Sequence, residues 1–197
     1  MADTLSPVHP LHAWREAFAA LPDGLEITAE PLVAAMDLRL GRAAVEAVTD
    51  VLGAAVPTVP NTWVATPTGR IIWLGPDEWL VHSDAHTPTE LESRLRGIVA
   101  PAGGAAVDVS AQRTGLRLAG PLVRELLALG CSLDLHPSVF PPGACAQTTV
   151  GQVGVVLAAA RADTDDAFHL LVRPSFAGHL AAWLLDAAIE FTPEEQQ

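Results

Sequence analysis

Residues 70–82 read RIIWLGPDEWLVH, two short runs rich in Ile, Val and Trp separated by Gly75-Pro76-Asp77-Glu78. Proline at the second position of a four-residue turn has its φ already set, and Gly and Asp suit the flanking positions. The stretch therefore closes as a hairpin, pairing 70–74 with 79–82, and commits the chain to antiparallel sheet. Asp77 and Glu78 could be taken for an acid/base pair. Neighbouring carboxylates on a turn diverge into water, however, whereas such a pair needs environments that push its pKa values apart. A solvated turn is the better reading. Trp73 and Trp79 occupy mirrored positions on the two arms, which predicts a cross-strand aromatic pair packing a core or a subunit contact.

The rest of the chain alternates between the same two periodicities. Val45, Val48 and Leu52 lie three and four apart, which predicts a helix over 43–52 stopped by Gly53. A proline-containing loop over 56–61 leads to a strand at 63–65. Thr87-Pro88-Thr89-Glu90 fits a capping box with proline at the first helical position. Leu91, Leu95 and Ile98 then form one face, with Glu90/Arg94 and Glu92/Arg96 as i,i+4 pairs, until Gly103-Gly104. Strands follow at 105–109 and 114–118. Gly120-Pro121 opens a helix carrying Leu122, Val123, Leu126, Leu127 and Leu129, closed by Gly130. After a loop over 137–145, residues 148–158 read as one strand bent at Gly151 and Gly154. An exposed turn over 161–166 brings 168–172 back to pair with it. Ser175 is expected to cap a last helix with Phe176, Leu180, Trp183, Leu184 and Ala187 on one face, before a frayed polar tail from about residue 192. Strand pairs interleaved with helices predict a single α+β domain over 1–197, antiparallel sheet layers covered by helices.

Composition narrows the chemistry. Eleven basic residues against 23 acidic ones give a net charge of −12, which repels phosphate backbones and anionic lipid headgroups and predicts neither nucleic-acid nor membrane partners. All eleven cations are arginine, so Schiff-base, P-loop and general-base lysine chemistry is excluded. Tyrosine is absent as well. No apolar run approaches the roughly 20 residues of a membrane span, and the N-terminus lacks a charged segment followed by an apolar one. The expected location is cytoplasmic. With charged residues at only 17%, part of the surface is expected to be covered by other protein.

Candidate sites built from the residues are thin. His9/His12 and His82/His86 have metal-like spacing, but neither pair lies on a clear helix with a third ligand nearby. Cys131 and Cys145 lie outside any CxxC spacing, and a nucleophilic Cys131 would need a base, for which His136 is nearest along the chain. Ser110 and Ser175 lack a nucleophile-elbow setting. No glycine-rich nucleotide cradle occurs. No catalytic, cofactor-binding or metal residue is assigned. Trp14, Trp73 and Trp79 are the candidate packing or subunit-interface residues, with Trp79 or Trp14 expected to become shielded on assembly.

Val107-Asp108-Val109-Ser110, Leu116-Arg117-Leu118-Ala119-Gly120-Pro121 and Arg124-Glu125-Leu126-Leu127 are similar to a signature of the glycine-cleavage T-protein family. WLGPDEWL at 73–80, Leu133-Asp134-Leu135-His136-Pro137 with Phe140, and Arg173-Pro174-Ser175-Phe176-Ala177 more specifically resemble the gamma-subunit family of heterotetrameric sarcosine oxidases, over about residues 6–191. The resemblance implies the folate-binding core fold of T-protein without its C-terminal barrel. It further implies a structural subunit of a flavoenzyme of sarcosine catabolism, one that demethylates sarcosine to glycine and forms hydrogen peroxide and methylenetetrahydrofolate. Alpha, beta and delta subunits would be the partners and would hold FAD, FMN, NAD, tetrahydrofolate and zinc, none of them in this chain. The T-protein relatives follow the glycine of the late strand with an acidic pair. Here Gly154 precedes Val155-Val156-Leu157, aliphatic side chains that cannot exchange a proton. Two alternatives share parts of the resemblance: the gamma subunit of an N-methyl amino acid dehydrogenase, such as one acting on N-methylglutamate, and a free-standing folate-binding transferase.

Overall fold

A computed structural model describes residues 8–41, 44–162 and 165–192. In chain order they form α1 (Arg15–Ala19), β1 (Glu26–Ala29), β2 (Ala34–Arg39), α2 (Thr49–Leu52), β3 (Trp63–Thr66), β4 (Gly69–Gly75), β5 (Glu78–Ser83), α3 (Pro88–Val99), β6 (Ala105–Asp108), β7 (Thr114–Ala119), α4 (Val123–Ala128), β8 (Cys145–Val150), β9 (Val153–Ala162), β10 (Asp165–Val172) and α5 (Pro174–Ala188). Two five-stranded sheets result, one ordered β1-β7-β10-β9-β8 and the other β3-β4-β5-β2-β6. Every pairing in both is antiparallel.

Alternation along the strands explains why these sheets stack. On β9, Val155, Leu157 and Ala159 face a core shared with α4 and α5, while Val156 and Ala158 face a second core shared with Ile72, Leu80 and Ala35 of the other sheet. On β4 and β5, Ile71, Trp79 and Val81 face a third core with Leu91, Leu95 and Val99 of α3. The molecule is thus layered helix, sheet, sheet, helix, and the central strands are apolar on both faces because both faces are covered. This is the expected α+β sandwich.

The hairpin at 70–82 forms as expected, with Trp73 directly opposite Trp79 and a register shift between Trp73 and Gly75. The Thr87 capping box is complete: Thr87 Oγ1 accepts from the Glu90 backbone N–H at 3.3 Å, and the Glu90 carboxylate accepts from Thr87 N–H at 2.9 Å. Such a cap contributes about 1 kcal/mol. Because Glu90 is turned to the cap, Arg94 bonds to His86 instead, whereas Arg96 and Glu92 pair at 3.5 Å.

Four expectations are corrected. Residues 148–158 are two strands of a hairpin, β8 and β9, because Gly151 (φ +55°) and Gln152 (φ +68°) are successive left-handed residues, the geometry of a two-residue type I′ turn. Of the helix expected over 43–52, residue 43 lies outside the described residues and the rest contains only a short 3₁₀ turn (Glu46–Val48) and α2, although Val48 and Leu52 are buried against the α3-side sheet and Gly53 ends it at φ +69°. Ser175 does not cap α5. Pro174 takes the first helical position and forces Arg173, at φ −65° and ψ 138°, to be the N-cap, with no side-chain cap bond. Phe176 is half exposed, and the buried face of α5 is Ala177, Leu180, Ala181, Leu184 and Ala188. The tip of the turn over 161–166 and the tail beyond residue 192 lie outside the described residues.

Candidate functional site

A cluster of polar contacts forms where the chain crosses between sheets. Glu30 follows β1 and precedes β2, and its carboxylate meets an arginine from one sheet and a histidine from the other. Arg70 Nη2 of β4 donates to Oε2 at 2.8 Å, and His169 Nδ1 of β10 lies 2.5 Å from Oε1. The Glu30 carbonyl bonds the His9 ring at 2.9 Å, which also contacts Thr114 Oγ1 at 3.1 Å. The Trp63 ring meets the His169 ring edge-on at 5.5 Å between centroids. Burial opposes ionisation of Glu30, but His169 and Arg70 outweigh it and hold the carboxyl below its ordinary value. Gly115 is required here because a Cβ would come within 2.3 Å of Glu30 Oε2.

A carboxylate orienting an imidazole suits general-base catalysis, and such a role needs substrate space beside the carboxylate. The enclosed cavity bordered by Glu30, His82, Ser110, Arg113 and Thr114 measures about 20 Å³. That is room for one water, against the several hundred Å³ of a small-molecule site. The cluster is a clasp between sheets. His82, 7% exposed, and Arg113 present buried ring and guanidinium nitrogens without partners among the described residues, which is what a bridging water would satisfy. Nothing in the sequence joined Glu30, Arg70 and His169, which lie 40 and 139 positions apart.

The residues singled out in the sequence do other work. Glu78 pairs with Arg39 at 2.9 Å while Asp77 points into solvent, so the two acids do not share a proton. Trp79 is 2% exposed, its indole N–H donating to the Pro57 carbonyl at 2.7 Å. It has almost no surface left to lose on assembly, so of the two tryptophans expected to become shielded only Trp14 retains surface to cover. Trp73 is partly exposed and lines a groove of about 540 Å³ with Val45, Thr58, Pro60, Pro76 and Trp79. Trp14 is partly exposed beside Gly178 of α5.

His9 and His12 diverge in role, the first bonded into the clasp and the second exposed. His82 is buried while His86 bonds Ser83 at 3.0 Å. Among the described residues no three His, Cys, Asp or Glu side chains gather as a metal site. Cys131 is buried with Thr148 as its polar neighbour at 3.9 Å, and His136 bonds Ser138 at 2.7 Å instead. Burial pushes the Cys145 thiol up to about 11, which makes it inert.

The signature residues turn out to build the scaffold. Asp108 Oδ1 accepts from the Ser110 N–H at 2.8 Å and hydroxyl at 2.6 Å, and Ser110 Oγ accepts from Ala35 N–H at 2.9 Å, which closes the turn after β6. Arg124 of α4 grips Asp166 of β10 at 2.5 and 2.8 Å, donates to the Leu135 and Phe140 carbonyls, and lies 5.0 Å from the Phe168 ring centre. The His136 carbonyl accepts from Val139 and Phe140 N–H, so the loop at 133–140 is tied beneath the same arginine. Val155 and Leu157 on one side of β9 and Val156 on the other are all buried.

The model of the sarcosine oxidase, gamma subunit family matches residues 39–190. The sarcosine oxidase subunit gamma of Corynebacterium sp. (strain U-96) is 35% identical over 156 residues, 79% of this chain and 72% of that protein. The subunit of the same name from Arthrobacter sp is 32% identical over 158 residues, 80% of this chain and 70% of that protein. A chain of the heterotetrameric sarcosine oxidase from Corynebacterium sp. U-96, solved in complex with pyrrole 2-carboxylate, superposes with a TM-score of 0.86 at 27% identity, covering 97% of this chain and 99% of that chain. The glycine cleavage system aminomethyltransferase T from Bartonella henselae shares the fold, with a TM-score of 0.59 at 15% identity over 91% of this chain and 50% of that chain.

Proposed function

The chain belongs to the sarcosine oxidase gamma subunit family, and from that membership we propose that it is the structural gamma subunit of a heterotetrameric sarcosine oxidase. The observation that carries the reading is the match along nearly the full length of both chains to one chain of such an assembly. The complex would oxidatively demethylate sarcosine to glycine, passing two electrons to oxygen to give hydrogen peroxide and the one-carbon unit to tetrahydrofolate. FAD, FMN, NAD, tetrahydrofolate and zinc would reside on the alpha, beta and delta partners.

Two features of this chain support an assembling rather than a reacting part. Its Glu30 carboxylate is tied to Arg70 and His169 and borders a cavity with room for one water, and the strand after Gly154 carries packed valines and leucine where folate chemistry in T-protein relatives uses acids. One core is built by side chains of both sheets, which supports a single folding unit. A tagged pull-down from the native host tests the reading. A yellow eluate containing three further chains of unequal mass is the expected result; a colourless, lone 20.6 kDa protein would overturn it.

A further inference from the structure

Among the described residues five arginines are ion-paired: Arg39 with Asp37 and Glu78, Arg70 with Glu30, Arg96 with Glu92, Arg117 with Glu26 and Arg124 with Asp166. Of the described arginines without an ion pair, Arg113 and Arg173 stand together. They come from distant parts of the chain, the loop between β6 and β7 and the N-cap of α5, yet line one open cleft of about 420 Å³ with Gln147, Thr148 and Thr149 of β8. Neither is ion-paired among the described residues. Glu78 is the carboxylate that acts on Arg113, and Arg39 already holds it at 2.9 Å. Burial first, and then the charge of Arg173, work against the Arg113 cation.

Two adjacent cations without an anion are unusual in a chain of net charge −12, because like charges at close range repel. Two further features add positive potential and donors. The 15-residue helix α5 begins at Pro174 with no side-chain cap, so its partial positive end is uncompensated, and Thr148 and Thr149 line the cleft. Arg113 is already ordered, since it borders both this cleft and the internal cavity behind it and its Nε is fully buried. Phe176, half exposed, follows Arg173 by three residues. Arginine beside an exposed aromatic is the composition of interface hot spots.

We propose that this cleft receives a carboxylate from an acidic segment of a partner subunit, gripped by Arg173 and Arg113 as Phe176 is covered. The proposal rests on the reading of the chain as a subunit of an assembly. A small free anion fits less well, because the cleft is open and salt screens exposed charges. A partner that closes over it removes the water and strengthens each charge-assisted bond.

The test compares wild type, R173Q, R113Q and R161Q as the full chain, each titrated against the complex assembled without it, across a series of salt concentrations. Arg173 and Arg161 are exposed, so their variants should keep the wild-type circular dichroism spectrum, and R173Q tests the site without disturbing the buried Arg113. We expect R173Q to weaken association roughly tenfold at low ionic strength and to flatten its salt dependence, with R161Q unchanged. Wild-type affinity and salt dependence in R173Q would overturn the proposal while leaving the subunit reading intact. Failure of the wild-type chain to associate at all would remove both. Saturable binding of inorganic phosphate or glutarate to the free chain, lost in R173Q, would overturn the partner carboxylate in favour of a small ligand.

Discussion

His82 shows how much one side chain can couple the fold to pH. It lies on β5 behind Glu30, and burial, reinforced by the charge of Arg70, lowers its pKa to about 3. In the unfolded chain the ring titrates near its ordinary 6.5. Between those values the unfolded state binds a proton that the native state refuses, so stability is full above about pH 6.5 and declines as pH falls, by roughly 1.4 kcal/mol per pH unit where the difference is one whole proton. Glu30, with its pKa held down, loses its contribution only as pH falls below its ordinary 4.5, so the window between 4.5 and 6.5 favours the histidine. His82→Asn should flatten the pH dependence of the urea unfolding midpoint there by close to one proton relative to wild type. Parallel curves for the two proteins would mean that His82 is protonated in the native state. None of this is legible in the sequence. His82 lies on an apolar strand and looks like half of a metal pair with His86, because burial and orphaned nitrogens are products of tertiary packing.

Elements were legible where a local rule is strict and blurred where it is not. The Gly75-Pro76 corner and the Thr87 capping box formed as read because proline and a reciprocal cap act within four residues. The β8–β9 hairpin was hidden because its turn uses Gln152 at φ +68°, a conformation that favours glycine and asparagine. That mismatch leaves room for improvement. Gln152 is exposed, so Gln152→Gly should relieve left-handed strain at the cost of a floppier unfolded chain, a net gain of about 0.5 kcal/mol and a melting temperature about 1–2 °C higher by calorimetry. A lower melting temperature would show that the Gln152 side chain makes a contact worth more than the strain. Gly151 offers no such gain, since a Cβ there would come within 2.5 Å of the Trp183 ring.

On the scale of the whole molecule, four layers leave the ends of the sheets and the outer faces of the short helices to meet partners. Trp14, Trp73 and Trp79 were all legible as packing or contact candidates, but not how far each is buried. Period-two alternation puts Trp73 and Trp79 on one face, and register alone cannot say how deep each sits. Trp79 lies under α3 and the loop at Pro57, while Trp73 borders a groove that runs past Pro76 and Pro60, with Val59 nearby 63% exposed. Apolar surface of this kind at the mouth of a groove is what an obligate neighbour covers. Assembly should therefore reduce acrylamide quenching of this chain's tryptophan fluorescence, most simply read with the partners' tryptophans replaced by non-emitting 4-fluorotryptophan. Trp73→Phe should remove most of that reduction and Trp79→Phe almost none, with Trp14 supplying the remainder. If Trp73→Phe leaves the change intact, the groove faces solvent in the complex, and the contact runs through α5 and the arginine cleft instead.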